Sequence, residues 1–269
     1  MIKISKYGPV TRFDLARNLI GRGRYWTTAY LLGSIMIDTG CAHTSLELQS
    51  ALSDNQVSLI VNTHTHEDHI GANSIFQRQY PSSDIRAHPE ALKILEDPRR
   101  NQPLQLYRQL FWGWPEASSA TALSDGEWIE TNQFRLQVIF TPGHSPDHLC
   151  LYEPNHCWLF TGDLFVGGKD RALRQGYDIW GVIESLKKVA ALPINCLFPG
   201  SARVRSEPAV ELAAKITYLE DLGAKVIDLH QRGFSVHEIA RLTCGGPMLV
   251  EVITLGHFSR QHLIRSYLA

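Results

Sequence analysis

Apolar and polar positions alternate in short runs from the N-terminus to about Ser206, and beyond that point the spacing turns helical. "TTAYLLG" and "SIMIDTG" predict two strands joined at Gly33, the second closing on Asp38-Thr39-Gly40. "TSLELQSAL" carries helical spacing. "VSLIVNT" (57–63) is a β-branched apolar run of strand length, the pattern of a strand buried on both faces. It delivers the chain directly into "NTHTHEDHIGA". "GANSIFQRQY" and "HPEALKILED" read as helices, the latter with Pro89 in its first turn. The aromatic-rich stretch 101–115 is expected to be helical.

A second strand series follows in "EWIE", "FRLQVIF", "LCLYEP" and "HCWLF", with the polar loops "TPGHSPDH" and "TGD" after its apolar runs. "DIWGVIESLKKVAAL" is an amphipathic helix and "CLFPG" a short final strand. Three helical segments complete the chain, and no internal repeat or long linker interrupts it. The expectation is two strand–helix halves forming one domain, 1–205, with a helical extension, 206–269, packed on it.

Charge narrows the partners. With 26 basic and 27 acidic residues among 269, the chain has no basic excess to favour nucleic acid or a membrane surface. A small-molecule partner is therefore expected, with the choice between monomer and homodimer left open. Cys41, Cys150, Cys157, Cys196 and Cys244 are widely spaced with no C-x-x-C pair, which reads as reduced, mostly packed thiols. The opening "MIKISKYGPVTRFDLAR" has no apolar core of a secretory signal, and no run has the length of a membrane span. A cytoplasmic location is the resulting expectation.

The chemistry concentrates in His64-x-His66-x-Asp68-His69. Two imidazoles two residues apart on a turn can converge on one cation, while the aspartate and histidine beyond them can face a second. Imidazole with carboxylate suits Zn²⁺, Fe²⁺ or Mn²⁺, whereas Cu(I) would call for thiolates. His144 follows a Pro-Gly turn and Asp163 closes another apolar strand, so all these groups can meet on one rim of strand ends.

"IDTG", "HTHEDH", "TPGHSPDH" and "TGDLF", in that order, resemble the metallo-β-lactamase-fold superfamily of metallohydrolases. "FTGDLFVGGKDR" is most similar to its glyoxalase II-like branch, the hydroxyacylglutathione hydrolases and their relatives. The resemblance implies an α/β fold, a four-layer αββα sandwich with metals at the edge where the sheets meet. It implies that His64, His66 and His144 hold a first metal. Asp68 and His69 would then serve a second, and Asp163 would bridge the two. The last ligand of the family is a histidine in a Pro-Gly-His turn; "LFPGSARV" puts Ser201 there. A serine hydroxyl is a poor donor at neutral pH, so one tight and one weaker Zn²⁺ site are expected.

Under this reading a metal-bound hydroxide cleaves an ester, thioester or lactone, and Asp68 orients the nucleophile and takes its proton. Asp38 would support a ligand imidazole, and Lys169 and Arg171 could meet an anionic substrate group. His257 is the candidate to compensate for Ser201. Two other readings stand beside it: a mononuclear iron dioxygenase of the persulfide type, built on His64, His144 and Asp163, and a non-catalytic descendant that binds metal or ligand.

Overall fold

The computed structural model describes residues 1–269. Two β-sheets face each other. The first orders its seven strands as Ile2–Tyr7, Val10–Leu15, Thr27–Leu32, Ile35–Ile37, Leu59–Val61, Asp84–Ala87 and Thr121–Ala122. The pairings are antiparallel as far as Ile35–Ile37 and parallel beyond it. The second sheet runs Trp128–Glu130, Arg135–Phe140, Leu149–Glu153, Trp158–Gly162, Cys196–Pro199 and Arg205–Ser206. Its one parallel pairing joins Trp158–Gly162 to Cys196–Pro199, and the helix Ile179–Ala190 makes that crossover.

Alternation along the strands builds the layers. In Thr27–Leu32, Tyr30 and Leu32 point between the sheets, where they meet Val138, Leu151, Phe160 and Phe198. Ala29 and Leu31 point the other way, onto Leu48, Leu52 and Phe76 of the first helical layer. The outer face of the second sheet presents Ile139, Tyr152, Leu159 and Leu197 to the helices beyond it. The result is the expected αββα sandwich. Burial at period two is what fixes each strand's register, since a one-residue slip would turn every apolar side chain into the wrong layer.

The helices Ala209–Gln231, Val236–Cys244 and Arg260–Leu268 contribute Leu219, Val226, Ile239 and Ile264 to the same apolar cluster as the second sheet and the crossover helix. A two-residue strand, Phe258–Ser259, interrupts this helical region and pairs with Leu173–Arg174. None of the helices is long and apolar enough to cross a membrane. The stretch 101–115 departs from expectation: only Leu106–Phe111 forms a helix after the short turn Pro98–Asn101. Pro103 and Pro115 cannot sit inside a helix, and Gly113 takes a φ of 80°, which leaves room for little more than one and a half turns.

Candidate metal centre

The parallel strands Ile35–Ile37 and Leu59–Val61 end side by side, so the loops that leave them share one rim. Asp38 leaves the first strand in a left-handed conformation, φ 58°, which few non-glycine residues adopt but aspartate tolerates. Its carboxylate takes three donors: the Thr63 backbone N–H at 2.7 Å, the Thr63 hydroxyl at 2.8 Å and His69 Nδ1 at 2.7 Å. Asp38 thus ties the two loops together and aims both the His64 and His69 rings.

Proton counting fixes the His64 tautomer. The Thr63 hydroxyl gives its single proton to Asp38, so His64 Nδ1, 3.0 Å away, must donate to that oxygen. The His64 Nε2 is then bare and faces outward to the other rings. His66 Nδ1 lies 2.9 Å from it and 3.0 Å from His144 Nε2. Burial pushes His64, His66 and His144 below the ordinary histidine pKa, His144 to about 4, so all three are neutral at pH 7. A single proton on His66 Nδ1 can serve only one of its two neighbours, His64 Nε2 and His144 Nε2, whereas a cation among the three nitrogens would serve all of them. Their spacing is close to the ~3.3 Å ligand–ligand edge expected from zinc–nitrogen bonds. The donor set fits a divalent ion.

A second cluster adjoins the first. His64, His69 and Asp163 bring ligand atoms within 4.8 Å of one another. The His69 Nε2 is buried with no hydrogen-bond partner, 3.6 Å from Asp163 Oδ1 and 3.8 Å from Asp68 Oδ2. Burial opposes a charge on this ring, but Asp38, Asp163 and Asp68 outweigh it and hold its pKa well above ordinary. Burial raises Asp68 to about 7, whereas the adjacent His69 overcomes the same penalty at Asp163 and keeps it ionised. Gly200 is what lets these groups approach. A Cβ there would stand 2.7 Å from both Asp163 Oδ1 and His69 Cε1.

Ser201 follows Gly200 and donates its hydroxyl to Asp163 Oδ1 at 3.2 Å. His64, His66, Asp68, His69, His144 and Asp163 therefore come together with Asp38 and Ser201. His257, Lys169 and Arg171 do not. His257 pairs through Nδ1 with the Tyr107 hydroxyl at 2.7 Å. The Lys169 ammonium lies over the Tyr218 ring, and Arg171 donates to the Cys244 carbonyl.

Three supports complete the site: His148 reads from the sequence as a supporting or turn residue, whereas Asp147 and Glu67 carry no signature strong enough to single them out. His148 accepts the Asp163 backbone N–H at 3.2 Å and has Thr141 Oγ1 2.9 Å from its other nitrogen, so it places Asp163. Asp147 accepts the Thr65 backbone N–H at 2.8 Å, which joins the "TPGHSPDH" loop to the first histidine loop. Glu67, between His66 and Asp68, forms a bidentate buried pair with Arg108. The "DH" that follows "GHSP" could have pointed to Asp147 as well, since a loop that presents one imidazole needs anchors of its own.

The neutral imidazoles give the metal-free protein a pH signature. His144, at about 4 when folded and ~6.5 when unfolded, stabilises fully above 6.5 and loses that contribution as pH falls toward 4. His64, His66 and His148 act in the same direction. The raised Asp68 opposes them over this range, and the elevated His69 joins it above about 6.5, where the unfolded chain releases its proton first, two groups against four. The urea midpoint of chelator-treated protein is expected to be lower at pH 5 than at pH 7; a higher midpoint at pH 5 contradicts this protonation pattern.

Comparison with known proteins bears on the same residues. Residues 24–201 match the family described as the metallo-beta-lactamase superfamily. The atrochrysone carboxyl ACP thioesterase of Aspergillus fumigatus is 26% identical over 186 residues, 66% of this chain and 51% of that protein. A hydroxyacylglutathione hydrolase of Aeromonas salmonicida is 30% identical over 173 residues, 64% of this chain and 58% of its own. The matched segments thus span about half to three fifths of those relatives. A metallo-beta-lactamase family protein from Thermus thermophilus superposes with a TM-score of 0.67 at 18% identity, covering 96% of this chain and 91% of that one.

Proposed function

Because the chain belongs to the metallo-beta-lactamase superfamily, we propose that it is a metal-dependent hydrolase of a small ester, thioester or lactone. The observation that carries this reading is the convergence of the bare His64 Nε2 with His66 Nδ1 and His144 Nε2 beside a buried, unpartnered His69 Nε2. Relatives named as a thioesterase and a hydroxyacylglutathione hydrolase support the bond class. His64, His66 and His144 would hold the tighter ion, with three imidazoles and one position left for water or substrate. Asp68, His69 and Asp163 would hold a second ion more weakly, because Ser201 stands where a fourth donor belongs. The bound ion, zinc in the first instance, supplies Lewis acidity: it lowers the pKa of water toward about 7 and polarises a carbonyl.

The chain's own residues do the rest. Asp68, at the cavity beside His69 and Asp163, is placed to orient the attacking water and take its proton. Asp38 keeps the His64 ring in the tautomer that presents its free nitrogen, and it holds the His69 Nδ1 proton so that Nε2 is the atom a cation would deprotonate and bind. His148 and Ser201 fix Asp163 at its backbone and carboxylate respectively. The cavity above the centre, about 460 Å³, is large enough for a small organic acyl compound.

Zinc-supplemented protein is expected to retain close to one ion per chain after dialysis and to hydrolyse phenyl thioacetate. Ser201→His is expected to raise the retained count toward two. Elemental analysis with a thioesterase assay checks both. Two ions in the unaltered protein would remove the asymmetry, and no hydrolysis with metal bound would remove the hydrolase. Stoichiometric iron with oxygen consumption would put an oxygenase in its place.

A further inference from the structure

The cavity over the metal centre carries a positive charge that the chemistry above does not use. Leu173 and Arg174 are successive residues of a strand and so point to opposite faces. Leu173 enters the apolar core, and Arg174 enters the cavity. Two arginines line this space, and their situations differ. Arg108 is neutralised by Glu67, the two side chains each only 2% exposed. No carboxylate pairs with Arg174; the acid closest in influence is that same Glu67, already engaged. Burial and the neighbouring Arg108 both disfavour the Arg174 charge and lower its pKa. A half-buried guanidinium without an anion carries part of its desolvation cost uncompensated, and a bound anion relieves that cost.

The walls around it are aromatic. Tyr107, Trp112, Tyr177 and Phe258 line the same cavity as Arg174, Asp68 and Asp163. Phe258 arrives from the C-terminal region through the strand that pairs with Leu173–Arg174, so Arg174 is held by backbone hydrogen bonds rather than on a free loop. The Tyr177 hydroxyl lies 3.3 Å from His144 Nε2, which places the aromatic wall against the metal centre itself. The cavity thus brings aromatic walls, a guanidinium and the metal-binding cluster together, with Arg174 near enough to His66 and His144 to disfavour their charge.

From this we infer that Arg174 is the anchor for an anionic group on the substrate, a carboxylate or phosphate. The inference rests on the hydrolase reading for the word substrate, but the anion site itself does not depend on turnover. Arg174 then sets specificity: its fork donates to two oxygens of the anion while the aromatic side chains pack the apolar part of the substrate. It takes the role that the sequence suggests for Arg171, whose guanidinium is spent on the Cys244 carbonyl.

The test uses zinc-loaded protein and two matched thioesters, phenyl thioacetate and 4-(acetylthio)benzoate, with benzoate as a non-reacting probe read by tryptophan fluorescence. The unaltered protein is expected to favour the carboxylated thioester by about 10- to 100-fold in kcat/KM, the range of a charge-assisted hydrogen-bonded pair. Arg174→Met is expected to bring that ratio close to one and to weaken benzoate binding by a similar factor. Arg174→Lys keeps the charge without the fork and is expected to fall between, which retains the test should the methionine variant not fold. An unchanged ratio in an active Arg174→Met protein overturns the anchor and leaves the hydrolase standing. Benzoate binding that depends on Arg174, with neither thioester cleaved, does the reverse. Benzoate binding that ignores Arg174 places the anion on the metal and overturns the inference.

Discussion

Replacement of His66 by alanine is expected to lower thioester turnover on the order of 10³-fold and to strip the tighter metal ion on dialysis. The ring nitrogen His66 Nδ1 is the one within 3.0 Å of both other imidazole nitrogens, so its loss opens the cluster from the middle. Removing a hydrogen-bonded support of a metal ligand already costs about 10- to 100-fold in affinity or activity, and a direct ligand costs more. The side chain is buried at the cavity floor and makes no hydrogen bond that holds the strands together, so the fold should survive. Elemental analysis and turnover measured on the same folded sample decide it. Full turnover in His66→Ala would mean that the reaction does not use this cluster.

Legibility from sequence differs sharply between parts of this site. His64, His66, Asp68 and His69 are close in the chain, so a strand ending in a turn is enough to gather them, and the pattern is readable as written. His144 and Asp163 come from distant strand ends, yet each follows an apolar run in the second sheet. Once both sheets are granted, a common rim follows. The cationic side of the cavity has no such local sign. Arg171 and Arg174 look equivalent in "DRALRQG", and only the pairing of Leu173–Arg174 with Phe258–Ser259 decides which one faces the cavity. His257 looks available for the metal because nothing in "TLGHFSR" announces Tyr107, its partner 150 residues away in sequence. Contacts of this kind depend on how separate segments dock, and composition or periodicity does not encode them. The aromatic stretch errs in the other direction: its helical spacing is visible, but its prolines and glycine limit the helix to Leu106–Phe111.

The same short helix supplies the second large effect, because it delivers Arg108 to Glu67. Arg108→Met is expected to destabilise the protein by about 3–5 kcal/mol, since it leaves a carboxylate buried without its counter-charge. For a chain of this size each kcal/mol lowers the melting temperature by about 2–4 °C, so a drop of roughly 6–20 °C should be seen by calorimetry. Glu67 lies between His66 and Asp68, so the cost falls on the loop that carries the ligands, and metal affinity should fall with stability. Replacing both partners, Glu67→Leu with Arg108→Met, is expected to recover most of the melting temperature, because a pair of apolar side chains has no unpaired charge to hide. If recovery of stability also restores metal retention, the ion pair acts on the site by holding the loop in place. If stability returns and retention does not, the Arg108–Glu67 pair orients His66 and Asp68 in a way that apolar packing cannot reproduce. A single Arg108→Met variant as stable as the unaltered protein would show that water or the neighbouring Arg174 compensates Glu67, and that the Arg108 pair is not what holds the loop.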